Sequence, residues 1–100
     1  MAMNMKLIKH GDSADVLLEG RMDAVSAPKA EQALLDIAER FQSVNLDMEK
    51  MEYISSAGLR ALRNFNMAMR RSGKEYKVQN VPKTILEVFE MTGYSRLLRL

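Results

Sequence analysis

Two adjacent hydroxyls, Ser55 and Ser56, stand before the small residues Ala57 and Gly58. An apolar helical period opens just after them at Leu59, so both serines fall where a loop enters a helix. Unsatisfied backbone N–H groups gather at such a point, and the helix dipole adds partial positive charge. An anion, bound or covalent, is favoured there. Ala57 and Gly58 leave room for a visiting protein to reach the hydroxyl. A phosphoserine would bring about two negative charges and three acceptor oxygens. The helix end would absorb them, and the effect would fall on partner binding rather than on the fold. Plain helix capping, the ordinary role of Ser at such a place, stands beside this reading. Nucleophilic catalysis is not supported. It needs a base in reach of the hydroxyl, and the single histidine, His10, belongs to a predicted strand end. Ile54 also occupies the position where a G-x-S-x-G elbow requires its first Gly.

Downstream, Arg60, Arg63, Met67, Arg70 and Arg71 recur at helical spacing on the face opposite Leu59, Leu62 and Phe65. They form either a docking surface beside Ser56 or a solvated polar face. A Met among the arginines favours docking, because both residue types are enriched in interfaces. Upstream, Asp23 follows a predicted strand and suits a turn. The pair Asp12 and Asp15 reads as turn chemistry, since a hard cation needs more oxygen ligands. His10 reads as a strand-edge residue. With no Cys in the chain, disulfides, thiolate zinc sites and cysteine catalysis are excluded. No metal site and no cofactor are expected, and the chain is not expected to be an enzyme.

These residues need a scaffold. One hundred residues, 47% hydrophobic and 28% charged, suit a single globular domain over 1–100. Lys+Arg exceed Asp+Glu by 15 to 13, acidic residues are interspersed, and Trp is absent, so direct nucleic-acid binding is not expected. No apolar run is long enough to span a membrane, and no secretory signal opens the chain, so the expected compartment is the cytoplasm.

Met3, Met5 and Leu7 alternate with Asn4 and Lys6, predicting a half-buried strand. Gly11-Asp12-Ser13 is a turn, and Val16-Leu17-Leu18 a second strand closed by Gly20, which makes an antiparallel hairpin. Ser26 as capping hydroxyl and Pro28 start a helix whose buried face is Ala30, Leu34, Ile37 and Phe41. Residues 43–48 alternate as a strand, and 49–52 read as a charged loop. Leu59, Leu62, Phe65 and Met69 mark the second helix, ended at Ser72-Gly73. Tyr76 and Val78 mark a strand. After Asn80-Val81-Pro82, Ile85, Val88 and Phe89 mark a third helix ended by Gly93, and Leu97, Leu98 and Leu100 suggest a last strand. The order β-β-α-β-α-β-α-β predicts an α/β fold, a mixed and mostly parallel sheet with helices packed on it.

Tyr53-Ile54-Ser55-Ser56-Ala57-Gly58-Leu59-Arg60 resembles the signature of STAS domains, the anti-sigma factor antagonist family. Three further stretches resemble the family in order and spacing: Leu18 to Asp23 with Ala27-Pro28, Asn45-Leu46-Asp47, and Val88 to Gly93. The resemblance covers nearly the whole chain. It implies that Ser56 is the phosphorylated residue, with Ser55 as second choice, and that Ser55 stands where many members carry Asp. Together with the helix face read above, it gives an expected partner-binding surface of Asp23, Ser55, Ser56, Ala57, Gly58, Arg60, Arg63 and Met67. It implies a binding module that sequesters an anti-sigma factor which is also a serine-protein kinase, is released by phosphorylation, and is reset by a serine phosphatase. A non-switching accessory subunit of a lipid-transport ATPase is the alternative. Family members often carry a final helix, and the sequence ending at Leu100 leads one to expect that this cover is missing.

Overall fold

A computed structural model describes residues 3–100. Strand β1 (Asn4–His10) and strand β2 (Ser13–Met22) form the expected antiparallel hairpin. Helix α1 (Ala27–Arg40) leads to strand β3 (Ser43–Ile54), and helix α2 (Ser56–Arg71) to strand β4 (Glu75–Gln79). Helices α3 (Lys83–Thr92) and α4 (Tyr94–Leu97) complete the chain. The sheet order is β1-β2-β3-β4, with β2, β3 and β4 parallel. The mixed, mostly parallel α/β architecture is the one the sequence predicts.

One face of the sheet forms the core. Ala14, Val16, Leu18 and Met22 of β2 and Val44, Leu46 and Met48 of β3 are buried, while their alternate neighbours Asp15, Asn45 and Asp47 are only half-buried. This is the two-residue period of a sheet covered on one side. Leu34 and Ile37 of α1, Leu62, Phe65 and Met69 of α2, and Ile85 and Phe89 of α3 close the core. Each helix buries a single stripe at spacings of three and four, as their amphipathic patterns require. Lys74 ties two of these layers together by donating from Nζ to the carbonyl oxygens of Ala38 and Glu39 at the end of α1. Among the described residues no helix is long and apolar enough to cross a membrane.

Three local expectations are corrected. Residues 49–52 are not a loop, because β3 runs unbroken to Ile54. Its pairing with β2 slips twice, between Leu17 and Glu19 and again between Gly20 and Arg21, each time inserting one extra residue into β3. Buried residues then recur every third position, at Met48, Met51 and Ile54, instead of every second. A strand with two bulges therefore loses the alternation by which strands are recognised. Strand β2 likewise continues past Gly20, whose φ of 93° accommodates the second slip. Finally, Leu97, Leu98 and Leu100 do not make a strand. Gly93 turns the chain with φ 82°, and α4 follows, placing Tyr94 and Leu98 four residues apart on the inward side. Leu98 is buried there and its N–H bonds the Tyr94 carbonyl at 2.8 Å.

Candidate functional site

The carboxyl ends of β2 and β3 lie side by side, with Met22 opposite Ile54. Beyond them the chain enters α1 through Asp23 and α2 through Ser55, so two helix starts meet at one end of the sheet. The Ser55 N–H donates to the Met22 carbonyl oxygen at 2.9 Å and joins the two turns.

Ser55 and Ser56 have different surroundings. Ser55 is the N-cap of α2, extended at φ −95° and ψ 175°, and its Oγ accepts the Gly58 N–H at 3.2 Å. Ser56 is the first helical residue and is exposed. Its side chain forms no hydrogen bond among the described residues. The capping alternative therefore describes Ser55. Ala57 is half-buried, and Gly58 is buried against β2 and β3. A Cβ on Gly58 would lie 2.8 Å from Ile54 Cγ1 and 3.0 Å from both Met22 Cγ and the Met22 carbonyl oxygen. Glycine is thus what lets α2 start this close to the sheet.

Asp23 organises the neighbouring turn. Its Oδ1 accepts the N–H groups of Val25 at 3.0 Å and Ser26 at 2.9 Å, and the Ser26 hydroxyl lies 3.2 Å away. The Ser26 N–H holds the carboxyl below its ordinary value of 3.8 against the opposing effect of desolvation, with lesser help from the Ser26 hydroxyl, the Val25 N–H and the charge of Arg21. Ser26 stands at the N-cap position of α1, as expected, but its hydroxyl makes no capping hydrogen bond. Its backbone is already helical, and its hydroxyl points back to the Arg21 carbonyl at 2.8 Å. Asp23, three residues earlier, instead orders the entry to α1 by accepting the Val25 and Ser26 N–H groups. A groove of about 660 Å³ borders this turn, with Met3, Met5, Val25, Ala30 and Ala33 on its apolar walls.

Arg60, Arg63, Arg70 and Arg71 are exposed along α2, and Met67 is 44% exposed among them. Arg60 lies four residues after Ser56 and so on the same helical face. Arg70 is drawn away toward the far end of the helix, where its Nε donates to Asn66 Oδ1 at 2.7 Å. Asp15 is not a turn residue. It lies within β2, accepting from Asn45 at 3.0 Å, with His10 Nε2 at 3.2 Å. Asp12 lies in the turn between β1 and β2, where its backbone carbonyl accepts the Gln42 N–H of the α1–β3 connection at 2.7 Å.

Two features escape the linear sequence. Asn66 is buried within the apolar face of α2, and its position four after Leu62 and three before Met69 is the signal that could have revealed it. Arg21 and Tyr53 are brought opposite each other by the second slip in β3, with the guanidinium carbon 4.4 Å from the ring centroid.

The sequence profile of the STAS domain matches residues 4–100. The chain belongs to the STAS domain family. Its curated relatives include anti-sigma factor antagonists. It is 23% identical over 93 residues to the anti-sigma-B factor antagonist of Bacillus subtilis strain 168, covering 93% of this chain and 85% of that protein. The anti-sigma factor antagonist SpoIIAA in its unphosphorylated form superposes with a TM-score of 0.81 at 12% identity, over 94% of this chain and 84% of that one. The Bacillus cell fate determinant SpoIIAA in its phosphorylated form superposes with a TM-score of 0.75 at 12% identity, over 94% and 87%. The structural likenesses establish a shared fold. The stretch Tyr53 to Arg60, which resembles the family signature, spans the turn that joins β3 to α2.

Proposed function

We propose that this STAS domain is a phosphorylation-controlled antagonist of an anti-sigma factor, and that Ser56 is its switch. The observation that carries the reading is the division of labour between the two serines. Ser55 caps α2 through Gly58, while Ser56 presents an exposed hydroxyl on the first turn. Unmodified, the domain binds an anti-sigma factor that is also a serine-protein kinase, and a sigma factor is released. The kinase transfers the γ-phosphoryl group of ATP to Ser56 Oγ, forming the new P–O bond and leaving ADP. The hydroxyl proton passes to a base of the kinase. A serine phosphatase hydrolyses the ester and resets the module. The domain is a substrate and a competitor rather than an enzyme, and acts in the cytoplasm.

Physical chemistry supports a veto without unfolding. The N–H groups of the first turn and the helix dipole stabilise a phosphate at Ser56, so the fold tolerates it. The partner, however, must then cover a hydrated dianion. A loss of about 1.4 kcal/mol in binding is already tenfold, so modest repulsion suffices to exchange partners. Asp23, Ser55, Ala57, Gly58, Arg60, Arg63 and Met67 complete the proposed docking surface around Ser56.

The test combines modification and binding. The protein is incubated with its cognate kinase and ATP, and the modified residue is mapped by mass spectrometry. Ser56 is expected to carry the phosphate, and Ser56→Asp to abolish capture of the kinase. Normal labelling of Ser56→Ala would refute the assignment.

A further inference from the structure

Arg21 and Tyr53 form an exposed stack beside the two helix starts. Arg21 lies on β2 two residues before Asp23, and Tyr53 lies on β3 two residues before Ser55. Both project from the side of the sheet opposite the buried Met22 and Ile54. Tyr53 is 40% exposed and the Arg21 guanidinium covers its ring at 4.4 Å. A guanidinium lying on a ring keeps the N–H groups at its edges directed outward. Among the described residues Arg21 has no salt bridge, and its guanidinium donates no hydrogen bond. The nearby Asp23 carboxylate feels the Arg21 charge but forms no hydrogen bond or salt bridge with it, its own bonds running from Oδ1 to Val25 and Ser26.

The stack therefore presents a positive, forked donor on an aromatic base, at the same end of the sheet as Ser56. β2–β3 pairing fixes the backbone of both members opposite each other, and the guanidinium lies on the ring. Arg and Tyr are also the residue types that most often dominate interface energetics. The arginines of α2 have no comparable aromatic support among the described residues.

We propose that the Arg21–Tyr53 stack receives an Asp or Glu side chain of the protein partner, which extends the docking surface from α2 onto the open face of the sheet. A carboxylate matches the fork with two parallel N–H···O bonds, and the partner's adjoining methylene groups cover the Tyr53 ring. The assignment rests on the function proposed above. It adds the chemistry of the partner's contact residue, and it makes cationic Arg21, rather than Asp23, the recognising charge on this side of Ser56.

Calorimetric titration of the full chain with its purified anti-sigma kinase tests this. Arg21→Glu is expected to weaken binding about a hundredfold, and Tyr53→Ala about tenfold. Arg21→Lys, which cannot form the fork, should lose about tenfold, and Tyr53→Phe should stay within about twofold. Replacing single exposed Asp or Glu residues of the kinase by Arg should identify one that restores binding to Arg21→Glu. Unchanged denaturant midpoints would show that these variants remain folded. Wild-type binding that Arg21→Glu and Tyr53→Ala leave untouched overturns the role of the stack alone. No binding by the wild-type chain overturns the proposed function and the stack's role with it. Inorganic phosphate that binds the isolated chain and is lost in Arg21→Glu would replace the carboxylate assignment by a phosphate one.

Discussion

The Met22 carbonyl oxygen accepts the Ser55 N–H at 2.9 Å and also lies 3.0 Å from where a Cβ on residue 58 would be. One backbone oxygen thus sets both the position of the serine turn and the identity of Gly58. The oxygen cannot retreat from a new side chain without losing its bond to Ser55.

Gly58→Ala is expected to destabilise the domain. Ala improves helix propensity by up to about 1 kcal/mol, but overpacking costs about 1–3 kcal/mol. Ile54 and Met22 side chains have some freedom to shift, whereas the bonded carbonyl does not. A net loss of about 1–2 kcal/mol should appear as a lower urea midpoint.

The two serines should separate in stability as they do in geometry. Ser55→Ala removes the acceptor for the Gly58 N–H and should cost about 1 kcal/mol. Ser56→Ala removes an exposed hydroxyl without a hydrogen bond and should stay within about 0.5 kcal/mol. Chemical denaturation of the two variants side by side checks this, and equal losses would contradict the assigned roles.

Asp23 predicts an acid-sensitive turn. Its carboxyl is held below 3.8, foremost by the Ser26 N–H. A depressed pKa means that the ionised group stabilises the fold above about 3.9, the unfolded value, and that this contribution fades as pH falls through the lower folded value. Wild type should exceed Asp23→Asn in stability at neutral pH, and the difference should shrink as pH falls below 3.8. Stability measured by denaturant titration across pH 2–7 gives the comparison (roughly the window in which an Asp of depressed pKa titrates).

At the opposite end of α2, Tyr76 predicts an alkaline transition. Its hydroxyl donates to buried Asn66 Oδ1, which also accepts from Arg70, and its ring packs edge-on to Phe65 with centroids 5.2 Å apart. Burial raises its pKa above 10.0, against the opposing charges of Arg70 and Arg99. For a raised pKa the stabilisation is complete below the unfolded value of about 10 and is lost as pH climbs toward the folded one. Tyr76→Phe should abolish that alkaline loss, at a cost of about 0.5–1.5 kcal/mol near neutrality. Asn66→Leu should cost about 1–3 kcal/mol by leaving the Tyr76 hydroxyl without its acceptor.

The regular elements and the serine segment were legible because they depend on local periods. Ala30, Leu34, Ile37 and Phe41 repeat as one helical stripe, and Leu59, Leu62, Phe65 and Met69 as another, and all are buried. Met3, Met5 and Leu7 alternate as an edge strand requires. The resemblance of Tyr53 to Arg60 to a family signature marks the β3–α2 turn from sequence alone.

Long-range pairing decided the remainder. Two slips of β3 against β2 exist only in the partnership of both strands, so residues 49–52 lacked the alternation of a strand. Those slips brought Tyr53 beneath Arg21, a relation 32 residues long in sequence that no local period encodes. After the turn at Gly93, Leu97 ends a short helix and Leu98 packs into the core as its cap, so the terminal leucines form no strand. The amino-acid sequence alone determined which stripes must be buried and where a hydroxyl meets a helix. Only the tertiary structure decided that Ser55 caps while Ser56 is exposed, because that depends on where the Met22 carbonyl and Gly58 meet across the sheet.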